Sequence, residues 1–102
     1  MKSSYYQQKM LTKESSINDF KNAIVNGNIN DIRMLLDTKS IDIDMDNGWA
    51  LTESVKQWNI PVVALLLNYG CSTNYIYNNN KTDIDPNSVS IIMHKAYEIN
   101  FN

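Results

Sequence analysis

The chain has 102 residues, 43% of them hydrophobic and 20% charged, with a formal net charge of -2. That is the size of one small soluble domain, with no room for a catalytic and a regulatory domain side by side. It holds no apolar run of the roughly 18 residues a membrane span needs, and no basic excess of the kind that nucleic-acid binding needs.

The opening stretch, MKSSYYQQKMLTKESS, lacks the apolar core of a signal peptide and reads as a polar arm over residues 1–15. Order is expected to begin at Ser16, which with Asp19 has the form of a capping box. Ile17, Phe20, Ala23 and Ile24 follow helical spacing, and Gly27 closes the segment as a left-handed cap would. Asn28 is placed to cap a second helix whose apolar stripe is Ile29, Ile32, Leu35 and Leu36. Beyond Asp37 the period changes. Ile41, Ile43 and Met45 alternate with Asp42, Asp44 and Asp46, which predicts an extended segment ending in the turn dipeptide Asn47-Gly48.

Helical spacing returns through Ala50, Leu51, Ser54 and Val55. Asn59 is placed to cap the next helix, with Pro61 in its first turn, Val62, Val63, Leu65, Leu66 and Leu67 on its buried side, and Gly70 at its end. The polar stretch 75–82 reads as a loop. Asp85-Pro86 then starts a last helix, with Val89, Ile92, Met93, Ala96 and Tyr97 along one face.

The two helix pairs superimpose at an offset of 31 residues: Ala23 on Ser54, Ile24 on Val55, Gly27 on Trp58, Asn28-Ile29 on Asn59-Ile60, Leu35-Leu36 on Leu66-Leu67. A helix–turn–helix unit recurring at that period signals a stacked solenoid, because one such unit cannot enclose its own apolar face. The stretch DNGWALTESVKQWNIPVVALLLNYGCSTN, from Asp46 to Asn74, resembles an ankyrin repeat, and NAIVNGNINDIRMLLD, from Asn22 to Asp37, resembles a first, less complete one. The likeness extends over about residues 17–100. It departs from the family's Thr-Pro-Leu-His at Trp49-Ala50-Leu51-Thr52, and from the inter-helix Gly at Trp58. Degenerate repeats of this style resemble those of large DNA viruses and of AT-rich protists and bacteria.

The resemblance implies an all-α, short ankyrin-like helix–turn–helix solenoid with hairpin loops: repeats over about 16–45 and 46–77, and a partial third repeat or capping helix over 78–102. It also implies a cytoplasmic, non-catalytic protein–protein interaction module with no cofactor or metal, whose partner docks on hairpin tips and on the exposed face of each first helix. The tips are then 44–49 and 75–81, and the helix face is Lys21, Asn22, Thr52, Glu53, Lys56 and Gln57. Aromatic residues dominate interface hot spots because they bury a large area at low entropic cost. The candidate partner-binding set is therefore Asp46, Asn47, Trp49, Glu53, Lys56, Gln57, Trp58, Tyr75 and Tyr77, with Tyr69 a further aromatic candidate. Plainer roles stand beside these: Trp49 as filler beneath its hairpin, Tyr75 and Tyr77 as strand residues packed on a neighbouring hairpin, the acidic tip as a solvated face.

Enzyme chemistry finds few residues to use. His94 is the sole histidine and is expected at the surface, while the sole cysteine, Cys71, occupies a buried small-residue position and excludes an internal disulfide. Asp42, Asp44 and Asp46 have a superficial likeness to a calcium loop, but Asn47 stands where that loop requires Gly. A small protein inhibitor that occludes another protein's surface is the leading expectation. The alternative is self-association through repeat end faces left uncapped.

Overall fold

The computed structural model describes residues 13–78 and 83–101. They form six helices and, among the described residues, no strand: α1 (Lys13–Asn26), α2 (Ile29–Thr38), α3 (Met45–Lys56), α4 (Ile60–Asn68), α5 (Asn74–Asn78) and α6 (Pro86–Asn100). The helices are packed in two rows. Along one row α1 packs on α3 and α3 on α5; along the other α2 packs on α4 and α4 on α6. Rungs join the rows where α1 meets α2, α3 meets α4 and α5 meets α6.

The first two rungs are closed by the same turn. Asn28 N–H donates to the Ala23 carbonyl and Gly27 N–H to that of Ile24; 31 residues on, Asn59 N–H donates to Ser54 and Trp58 N–H to Val55. This double bond is a Schellman motif, and it needs its penultimate residue in the left-handed region. Gly27 supplies it at φ 67°, and Trp58 supplies it at φ 56°. Each turn then delivers the next helix with its cap in place: the side-chain oxygen of Asn28 accepts from Asp31 N–H, and that of Asn59 from Val62 N–H. Gly70 repeats the closing motif after α4, with Cys71 N–H bonded to the Leu66 carbonyl.

The core runs the length of the packed rows: Phe20 and Ile24 from α1, Ile32 from α2, Leu51 and Val55 from α3, Val62, Val63 and Leu66 from α4, Ile76 from α5, Ile92 and Met93 from α6. Small residues at Ala23, Ala50 and Ser54 let the first-row helices approach. The buried Ser54 hydroxyl donates to the carbonyl of Ala50 one turn back. A side-chain bond from Asn100 Nδ2 to the Ala64 carbonyl, at 2.9 Å, ties the end of α6 to α4.

Three details differ from the sequence reading. Lys13 already lies in α1, so Ser16 is buried inside a helix and caps nothing. The predicted extended segment does not form: Ile43 and Asp44 make a turn, Asp46 to Gly48 are left-handed where the sequence placed the Asn47-Gly48 turn, and the regular part of α3 follows Gly48. The alternation arises because Ile41, Ile43 and Met45 all pack partly against the core from an irregular connection, while Asp42 and Asp46 stay in solvent. Tyr75 to Asn78, read as loop, lie in the short helix α5, so Tyr75 and Tyr77 are helical residues and not strand residues. Asp85 precedes Pro86 at the start of α6 as expected, and its side chain makes no capping bond.

Candidate functional site

Two groups of the predicted binding residues come together, at opposite ends of α3. The first is the tip that leads into the helix. Asp46, Asn47 and Gly48 occupy three consecutive left-handed positions, at φ 53°, 58° and 78°. A left-handed turn strains an L-residue by about 1 kcal/mol or more, and Asp and Asn are the side chains that tolerate it best. Gly48 is required for a second reason: a Cβ there would lie 2.8 Å from the Cβ of Tyr75.

The turn is anchored on three sides. Lys21 Nζ pairs with Asp46 Oδ2 at 2.6 Å and lies 5.5 Å from the centroid of the Trp49 ring. Asp44 Oδ1 accepts from the backbone N–H of Ser72 at 2.8 Å, and Gly48 N–H donates to the carbonyl of Asp44. Asp42 Oδ1 turns back to the N–H of Asp44. The three alternating carboxylates therefore diverge, each engaged with a different group. Trp49 is half-buried and packs against the core while offering Lys21 an aromatic platform, so it serves as the filler the sequence allowed. Asn47 is exposed, Tyr75 is at the edge of exposure, and Tyr77 is 54% exposed on α5.

The second group lies at the other end, about 13 Å along the helix from Trp49. Glu53 and Gln57 follow Trp49 at intervals of four, which sets all three on one face of α3. Gln57 Nε2 donates both to Glu53 Oε2 and to the backbone carbonyl of Val25 on α1, each at 3.2 Å, bridging the two first-row helices. Lys56 is exposed beside them. Trp58, in the Schellman turn, is 52% exposed, and so is Val25.

Other candidates are placed elsewhere. Tyr69 donates its hydroxyl to Asp37 Oδ1 at 2.6 Å, linking the ends of α4 and α2, and that bond raises the phenol's pKa above its usual value of 10.0. Cys71 is buried, and desolvation, helped by the nearby Asp44 carboxylate, pushes its thiol up to about 12. His94 is exposed on α6, 3.8 Å from Glu98. Residues 79–81 of the second predicted tip lie outside the described residues. Among the described residues no group of three or more His, Cys, Asp or Glu side chains could hold a metal ion, and no helix is long and apolar enough to cross a membrane.

Several exposed apolar residues were not singled out from the sequence: Met34, Ile91, Ile99 and, at 84% exposure, Phe101. A signal was present. Met34 and Ile91 are apolar but fall off the i, i+3, i+4 stripes of their helices, so they point away from the core. At the first end of the rows, the groove between α1 and α2 mixes Asp19, Asn22, Asn26, Asn28 and Asp31 with the apolar Ala23, Met34 and Leu35. Comparison of the chain with protein-family models, with curated proteins and with solved structures returns no match.

Proposed function

We propose that the chain is a non-catalytic protein-interaction module of ankyrin-like architecture, which acts by covering a surface of another protein. The observation that carries this reading is Trp58. A large aromatic side chain stands half in solvent on a left-handed residue, at a position where Gly27 shows what the fold alone asks for. Strain of this kind persists where something other than stability maintains it, and an exposed Trp is the side chain most enriched at binding hot spots. Val25 beside α3, the Glu53–Gln57 face and the tip around Trp49 and Tyr75 extend the same side of α1 and α3 into a contact surface.

The architecture is supported by the two rows of helices and by turns and caps that recur at 31 residues.

The test is a pull-down followed by titration of the purified prey. Wild type is compared with Trp58→Gly and with a Trp49→Ala, Tyr77→Ala variant, each verified as folded by circular dichroism. A prey that binds wild type should lose about tenfold or more in affinity for Trp58→Gly, the loss of a hot spot worth about 2 kcal/mol. Equal binding by all three proteins overturns this surface.

A further inference from the structure

We propose that Asn47–Gly48 is a latent deamidation site that the left-handed turn keeps closed, so that opening of the tip is recorded covalently at position 47. The inference does not depend on the functional reading above. An Asn followed by Gly is the most reactive setting for this chemistry, because no side chain hinders the following amide nitrogen. In the reaction the Gly48 nitrogen attacks Cγ of Asn47, a nitrogen–carbon bond forms, and the Cγ–Nδ2 bond breaks. The amide proton leaves with Nδ2 as ammonia, which closes a succinimide. Water then opens that ring at either carbonyl, giving aspartate or isoaspartate.

Three features of the tip oppose the attack. At ψ 44° the Cα–Cβ bond of Asn47 stands nearly anti to the Gly48 nitrogen, whereas the five-membered ring requires the two nearly eclipsed. The Gly48 N–H is already donated to the Asp44 carbonyl at 3.0 Å. Gly48 itself is buried, with the Tyr75 side chain against its α-carbon, so the peptide unit cannot rotate without displacing that ring. Exposure of the Asn47 side chain to water is therefore not enough; the turn has to unwind first. Once it does, the product resists return. Isoaspartate routes the backbone through an extra carbon that the left-handed turn does not fit, and either product adds a negative charge beside Asp46.

The chain contains its own control. Asn26–Gly27 is the same dipeptide, also with an exposed Asn, and its Gly N–H is bonded to the Ile24 carbonyl. Asn26, however, ends α1 as a helical residue, and a helical ψ of about −42° leaves its Cβ roughly gauche to the Gly27 nitrogen, so its side chain is not held in the anti arrangement. The full chain is incubated at mildly alkaline pH, natively and in urea, and both sites are followed by peptide mapping for aspartate and isoaspartate. In urea the two should convert at similar rates. In the native protein Asn47 should lag Asn26 by about an order of magnitude or more, as expected for a step that requires local opening. Native conversion at Asn47 as fast as at Asn26 overturns the proposal. So does an Asn47 that stays slow in urea, since the protection would then not come from the fold.

Discussion

At the scale of single residues, the three left-handed positions that follow helices are chemically unequal. Gly27 and Gly70 adopt positive φ without strain, while Trp58 does so against its Cβ. Trp58→Gly should therefore raise stability by about 1 kcal/mol, read as a higher midpoint in urea with an unchanged slope. Gly48→Ala should do the opposite. Its new Cβ meets Tyr75 at 2.8 Å on a backbone of φ 78°, and a loss of about 2 kcal/mol is expected in the same assay. Cys71 gives a pH test. Its folded pKa is raised from 9.0 to about 12, so above pH 9 the unfolded chain releases its proton first and stability falls as pH rises toward 12. Cys71→Ala should flatten that part of the alkaline denaturation profile, and the native thiol should react with iodoacetamide only as the chain unfolds.

At the scale of elements, the caps do equivalent work in the two first rungs. Asn28→Ala and Asn59→Ala should each cost about 1 kcal/mol, measured by chemical denaturation. These caps were legible because an Asn after a helix-ending residue, with Ile next, occurs twice at the same spacing, and local hydrogen bonding fixes the outcome. The pairing of Gly27 with Trp58 was legible for the same reason, although nothing in the sequence announced that Trp58 would accept the glycine's conformation. The turn at Asn47-Gly48 was legible from its dipeptide, but the segment that leads into it was not. Ile41, Ile43 and Met45 alternate as a strand would, but partial burial along an irregular connection gives the same spacing, and no partner strand exists among the described residues to make the alternation mean a sheet. Helix α5 was hidden too, since Ile76 is the one buried residue among 74–77, and its helicity follows from docking on α3 and not from propensity. The candidate surface was legible in its aromatic residues and in Lys21, but Val25 joins it only because α1 and α3 pack side by side.

At the scale of the whole molecule, α4 is the element with least independence. Val62, Val63, Ala64, Leu65 and Leu66 are all buried, so it is apolar nearly all round and depends on α2, α3 and α6 to enclose it. Removing 86–102 would uncover it and forfeit the burial of Val89, Ile92 and Met93, at about 2 kcal/mol each. That is a large share of the roughly 5–15 kcal/mol that holds a domain folded. The truncated chain is expected to lose its helical circular dichroism or to aggregate. A monomeric product with an unchanged melting curve would show that α6 is dispensable.

The matched turns at Gly27 and Trp58 also bear on how a gene of this kind can grow. A segment that starts at Asn28 and ends at Trp58 begins on a cap and ends on the left-handed residue that precedes the next cap. A tandem copy inserted after Trp58 would meet its neighbours through the junction already present between Trp58 and Asn59, with every helix end still bonded. Unequal recombination at that boundary yields a longer chain in one step, and its loss restores the shorter one, so length is the property such a sequence can most readily change.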